Sequence, residues 1–493
     1  MKKKSTGKVI NIIMMFFLLL STFAMIIHRA YLNGCYISPD SSNYLLEAKA
    51  LLAGNGLWFN REAGLNGFFS TFPIGYPALI ALCAQLLGLE VYLASKILSL
   101  FFLLVICIVI YKYFGEDTWL FLLFFLNIGF NNIFYYTWSE QMFIVTLIWF
   151  TCVISKILQT KEVSKKNGVT LIFLSIAMFL SRYIGGISVI MIGCIILLWI
   201  IKREDKKMIY RLISINIINV IVMFGYLANN YIACGTPTGI RPKATISFMQ
   251  FIRELKDALL IEMKNMLGYF MQIENTVAVV LWIVTLIFLA SRLKRNVKKY
   301  VTSASFIAVA CIYLGCFLFM KYTSTMDPIS GRFLLPATIL IFIAFVNAIK
   351  ENMSDKGRIA LACCILFLGG MNYLYPAMRG IVNTKGRDHG YVAQMETWKK
   401  RLDDVPAKAI VLWAFDSELE NNMVKYIRND IWFEYPEELI DPETLQRLHA
   451  DRTVWVDIDG LYAYAKLRGW EIEDVKKKFS MDRYAGGLVK IDE

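Results

Sequence analysis

PALIALCAQLLGL, Pro77–Leu89, is the stretch on which the organisation of this chain turns. At about 13 residues it is shorter than the ~20 that a helix needs to cross ~30 Å of hydrocarbon, so it reads as an interfacial or re-entrant helix. Longer apolar runs lie near 9–28, 91–112, 118–136, 140–158, 169–182, 183–201, 209–233, 275–291, 301–320, 333–349 and 359–376. If Pro77–Leu89 stays on one side, a single face of the membrane receives the basic clusters Lys2–Lys8, Lys112, Lys156–Lys166, Lys202–Lys207, Arg292–Lys299 and Lys350–Arg358. If it crosses, every later loop inverts and that charge moves outside, against the enrichment of Lys and Arg in cytoplasmic loops. The expected fold is therefore an α-helical polytopic membrane protein with about 11 transmembrane helices and a cytoplasmic N-terminus.

Composition agrees with this class. Of 493 residues, 57% are hydrophobic and the mean hydropathy is +0.51, well outside the range of soluble globular chains. The net charge of +13 sits mostly in short loops between apolar runs, which argues for orientation and against nucleic acid as a partner. Ten cysteines are scattered and imply no disulfide framework, and His28, His389 and His449 are too dispersed for a zinc motif. The basic residues before Val9–Ile27 follow the charge order of a signal peptide. The apolar run is too long for one and no small-residue cleavage pattern precedes His28, so it reads as a retained span.

This threading leaves three sizeable outer segments: 29–90, 234–273 and the tail. The chain divides into a membrane domain, 1–377, and an extracytoplasmic domain, 378–493. The tail alternates strand-like runs (AIVLWAF, TVWVDI) with helix-like ones (SELENNMVKYI, LYAYAKLRGW), as a small α/β domain does.

The ionisable groups of the outer side carry the functional reading. YISPDSSNYLLEAKALLAGNG, residues 36–56, places Asp40 at the start of a helical pattern, where a carboxylate can cap backbone N–H groups or serve as a base. FFSTFPIGYPAL puts Pro73 and Pro77 around Gly75, a rigid turn into the short helix. TWSEQMF sets Glu140 at the outer boundary of a span. SRYIGG and ISGRFLLPA set Arg182 and Arg332 at outer junctions, and Lys321 and Arg241 lie on the same side. Two carboxylates there suit activation and positioning of a hydroxyl acceptor. The four basic residues suit a phosphate or pyrophosphate, although arginines at such boundaries also snorkel to lipid head groups.

Taken in order, Asp40 in a long first loop, FPIGYP, SEQMF, SRYIGG, LANNYIACGTPTGIRP and GRFLLPA resemble bacterial members of the GT-C glycosyltransferase superfamily. Protein O-mannosyltransferases and the lipid A aminoarabinose transferase are its better-known members. The resemblance covers roughly residues 30–340 and leaves the tail aside. It implies transfer of a sugar from a polyprenyl-phosphate donor to a glycan, lipid or protein acceptor on the extracytoplasmic face of a bacterial plasma membrane. Asp40 matches the first-loop catalytic acid and Glu140 the second acidic position, while Arg182 and Arg332 match recurrent arginines. Many relatives carry Asp-Glu at the first motif, where this chain has Asp40 followed by Ser41. No metal ligand is assigned, and the absence of a DxD pattern near Asp40 leans away from an obligatory divalent cation. Another lipid-linked-glycan enzyme, such as a ligase or polymerase, and a secondary transporter are the competing classes. Transporters hold their ionisable groups near the bilayer midplane, whereas these lie at one boundary.

Overall fold

The computed structural model describes residues 2–32, 34–62, 65–267, 274–350, 353–354, 356–361, 363, 390–412, 418–434, 452–478 and 487–490. They form two compact units: one of Met1–Ile26, Ser70–Leu79 and Ser95–Val382, the other of Ile27–Phe69, Ile80–Ala94 and Asn383–Glu493. The second unit groups most of the first outer segment with the tail.

The first unit is built from long helices: α1 (Lys2–Ile26), α4 (Val91–Phe114, from Ser95 on), α7 (Glu140–Thr160), α8 (Lys165–Ser181), α9 (Ile187–Ile201), α10 (Lys206–Cys234), α11 (Phe248–Leu267), α12 (Asn275–Arg295), α13 (Val301–Thr323) and α14 (Gly331–Lys350). Among the described residues, eight helical stretches are long and apolar enough to cross a membrane, and the short apolar helix α3, Gly75–Leu87, matches the run read as non-crossing. Helices α7, α8, α13 and α14 run between two ends. The start of α7, the end of α8 and the start of α14 meet through Glu140, Arg182 and Arg332. At the other end, Ser155 near the end of α7 bonds Thr302 at the start of α13 (3.1 Å), and Lys350 at the end of α14 pairs with Asp117, just beyond α4 (3.3 Å). These are the Glu140 end and the Lys350 end below.

The run 118–136 differs from expectation. It is not one helix but α5 (Thr118–Leu122), a 3-10 turn and α6 (Ile128–Tyr135). It still travels the length of the bundle: Trp119 N–H donates to Asn11 of α1 near the Lys350 end, and the Tyr135 carbonyl accepts from Lys96 near the start of α4. Asn127 explains the break. Its Oδ1 accepts from Phe130 N–H and its Nδ2 donates to the Phe124 carbonyl, both at 2.7 Å, so the amide replaces ladder bonds lost at the break. Leu120–Leu123 and Phe125 are buried, which is where irregular backbone is tolerated at membrane depth. The expected span 359–376 lies almost wholly outside the described residues.

In the second unit, four short strands take the order β4-β3-β5-β6: β3 (Ile410–Leu412), β4 (Trp432–Glu434), β5 (Val454–Asp457) and β6 (Leu488–Lys490). β3 is parallel to β4 and β5, with Ile410 opposite both Trp432 and Val454, and β6 returns antiparallel to β5. Ile410, Leu412, Val454 and Val456 pack with Ile458, Leu461 and Ala465 of the helix Ile458–Arg468. The unit also holds α2 (Pro39–Leu52) and the hairpin β1–β2, Trp58–Glu62 with Leu65–Phe68.

Candidate functional site

The Glu140 end is set by three of the motifs. In SRYIGG, Arg182 takes an extended conformation (φ −152°) that ends α8 and starts the turn Tyr183–Gly186. That turn folds back on α8 so closely that a Cβ at Gly185 would lie 2.2 Å from the Met178 carbonyl. Gly75 of FPIGYP meets the same helix end, where a Cβ would lie 2.6 Å from the Leu180 carbonyl oxygen. Both glycines are therefore required by close backbone approach just before Arg182. LANNYIACGTPTGIRP completes the junction: Asn230 Nδ2 donates to Tyr183 Oη (3.0 Å) and to the Pro237 carbonyl (3.0 Å), and Tyr183 Oη donates to the Ser70 carbonyl (2.7 Å).

On this frame three sequence-identified residues come together. Glu140, 2% exposed, is ion-paired through Oε1 with Arg182 Nη1 and with Arg332 Nε, the latter at 2.9 Å. The guanidinium side chains are less deeply buried, at 20% and 17% exposure. Glu140 opens α7, where the partial positive charge of the helix N-terminus also favours a carboxylate. One carboxylate between two guanidiniums leaves this trio at +1. Guanidinium matches phosphate oxygens bidentately. Arg332 also lies over Trp138 (4.5 Å to the ring centroid), which stacks on Tyr136 at 4.1 Å. The indole supports the guanidinium by a cation–π contact.

Lys321 and Arg241 belong to the same unit but are engaged in holding loops. Lys321 Nζ donates to the carbonyls of Met326 (2.9 Å) and Asp327 (3.0 Å) and pairs with Glu254 (3.3 Å), fixing the segment that leads to Arg332. Arg241 donates to the carbonyls of Thr238 (3.2 Å) and Thr71 (3.1 Å). Glu254 and Glu262 of α11, and Trp138, were not singled out from sequence. Glu262 is fully buried beside Gly331, where burial pushes its carboxyl up to about 8 while Thr338 acts in the opposite direction. The signal was the spacing of Glu254, Ala258 and Glu262, which shares one helical face of the outer segment 234–273.

Asp40 lies in the second unit, half-buried in the first turn of α2. It is not the N-cap. Ser38 is, its hydroxyl accepting from Ser41 N–H at 3.2 Å, with Pro39 in the first turn. Two turns along the same face lies Glu47, fully buried, its carboxyl pushed up to about 8 by burial. Among the described residues, no group of three or more His, Cys, Asp or Glu is arranged to hold a metal ion.

No family model matches this sequence, and no curated protein matches it. Solved structures do. ArnT from Cupriavidus metallidurans, bound to undecaprenyl phosphate, is similar at a TM-score of 0.59 and 10% identity, over 94% of this chain and 95% of ArnT. Its apo state gives 0.59 and 11% over the same shares. The Archaeoglobus fulgidus oligosaccharyltransferase in complex with Zn and sulfate gives 0.51 and 9%, over 96% of this chain and 72% of that one. The architecture is therefore the GT-C fold of membrane glycosyltransferases. Its sharing at such low identity is a likeness of backbone, extending across nearly the whole chain.

Proposed function

We propose that this protein is an integral membrane glycosyltransferase that takes a sugar from a polyprenyl-phosphate donor at the Glu140 end of the bundle, on the extracytoplasmic face. The observation that carries this reading is the meeting of Arg182 and Arg332 on buried Glu140 within a GT-C fold. The ArnT structure was solved with undecaprenyl phosphate bound, and we carry that ligand class over to this chain. Arg182 and Arg332 receive the phosphate, and Glu140, which the sequence suggested for the acceptor, holds the two guanidiniums. Trp138 supports Arg332, while Lys321 and Arg241 hold the adjoining loops. Asp40 takes the proton of the acceptor hydroxyl as its oxygen bonds to the anomeric carbon. The bond from that carbon to the lipid phosphate breaks, and the negative charge gathering there is met by guanidinium. The acceptor is a glycan, lipid or protein hydroxyl.

The test is incubation of purified protein with radiolabelled polyprenyl-phosphate sugars and hydroxyl acceptors. Label is expected to move to acceptor, and to do so poorly in the Arg182→Ala and Arg332→Ala proteins. Transfer that is undiminished in both variants, or obtained only from nucleotide sugars, would remove the basis of this reading.

A further inference from the structure

The Lys350 end holds a cavity of about 590 Å³, enclosed by the last turns of α4, α7 and α14 and the first turns of α8 and α13. On α7 its lining begins at Trp149, about 14 Å of helix from Glu140. Lys112, Lys156, Lys166 and Lys350 line it, and among the described residues no carboxylate does. Asp117 pairs with Lys350 and with Arg358, both at 3.3 Å.

Orientation alone would account for lysines in short loops, but not for the polar floor beneath them. Ser155 and Asn347, 4% and 6% exposed, lie inside the bundle. Ser155 and Gln159 both donate to the Thr302 hydroxyl, at 3.1 and 2.5 Å, and Asn347 donates to Ser303 at 3.1 Å. Trp149 and Phe306 supply an apolar wall. On α4, Phe101, Leu104, Ile108 and Tyr111 form an exposed stripe at helical spacing that ends one residue before Lys112. A cationic rim, hydroxyl and amide groups below it, and an exposed apolar stripe on α4 ending one residue before Lys112 match an anionic head group with acyl chains attached. A small soluble anion would leave the stripe and the wall unused.

We propose that this cavity binds the phosphodiester head group of an anionic membrane phospholipid, with its oxygens on Lys112, Lys156 and Lys166 and its glycerol portion over Thr302 and Asn347. Basic pockets between helices at the membrane boundary recognise head groups in this way. An occupant there ties together five helices of the first unit. The proposal is independent of the sugar-transfer reading, because it uses none of the residues at the Glu140 end.

The test titrates detergent-purified protein with phosphatidylglycerol, with phosphatidylcholine of the same acyl chains and with inorganic phosphate. Bound lipid is counted by native mass spectrometry and the thermal midpoint followed. Phosphatidylglycerol is expected to bind and raise the midpoint, and the other two to do neither. Lys156 and Lys166 are exposed, so Lys156→Gln/Lys166→Gln is expected to fold and to weaken that binding by about 10- to 30-fold. Lys112→Gln is expected to weaken it by about fivefold. Arg332→Ala, at the other end, is expected to leave it unchanged. Unaltered phosphatidylglycerol affinity in both lysine variants overturns the site. An equal rise in midpoint with inorganic phosphate overturns the lipid as its occupant.

Discussion

Arg332 tests the site at the level of one side chain. If it grips phosphate with two parallel hydrogen bonds while packed on Trp138, a lysine of the same charge is a poor replacement. Arg332→Lys is expected to weaken donor use by about 1–3 kcal/mol in the KM for a lipid-phosphate sugar, with the thermal midpoint little changed. Asp40 and Ser38 separate chemistry from capping. Asp40→Asn is expected to lower transfer about 100-fold or more at unchanged stability, and Ser38→Ala to cost about 0.5–2 kcal/mol of stability, read by thermal unfolding. Glu47 gives a pH test. With its folded pKa raised to about 8, it keeps its proton in the folded protein, whereas the unfolded chain releases it above about 4.5. Between those values the folded state binds more protons, so stability falls as pH rises through the window. Lys49, lowered to about 8 chiefly by its burial, adds nothing below that pH. Glu47→Gln is expected to flatten the fall of the thermal midpoint from about pH 4.5 to 8. Arg182 and Arg332 were legible in the sequence because charge at an apolar boundary is expensive. The sharing of one carboxylate between them was not, because α7, α8 and α14 are brought together only by folding. The cap at Ser38 was legible in principle: Ser-Pro is an N-cap followed by proline, a pairing that moves the cap ahead of Asp40.

Gly185 and Gly75 matter for what they allow the elements to do. Each lets backbone approach the last turn of α8, and together they set where Arg182 leaves that helix. Gly185→Ala brings a methyl against main chain, which cannot yield as a side-chain tip would. It is expected to lower the thermal midpoint and to raise the donor KM, because Arg182 is displaced from Glu140. A normal midpoint and KM in that variant would mean that the turn is free to shift. The helices themselves were readable from apolar length, and Gly75–Leu87 from its shortness. Two elements were not readable in this way. The run 118–136 kept its hydropathy while Asn127 broke its helix, since hydropathy averages over a single amide. α11 fell within the outer segment 234–273 without an apolar run, because its apolar residues occupy one face only.

At the scale of the molecule, Ser330 lies just before α14 at the Glu140 end and Asn296 just before α13 at the Lys350 end. In a cysteine-free background, Ser330→Cys is expected to react with an impermeant thiol reagent on intact cells and Asn296→Cys to be protected. The reverse pattern would invert the orientation and move sugar transfer to the cytoplasmic face. The grouping of residues 27–69 with 383–493 lay beyond sequence reading, since nothing local records which distant segments share a core. The broken pass between α4 and α7 bears on how such a chain is made. Its short helices have their backbone groups met by side-chain amides, including Gln141 of α7, which donates to the carbonyls of Ile133 (2.8 Å) and Tyr136 (3.1 Å). Released alone from the insertion machinery into lipid, this segment would face hydrocarbon with carbonyls that α7 has not yet arrived to satisfy. It therefore has to wait, sheltered, until α7 emerges from the ribosome, so that the two enter the bilayer as a single hairpin.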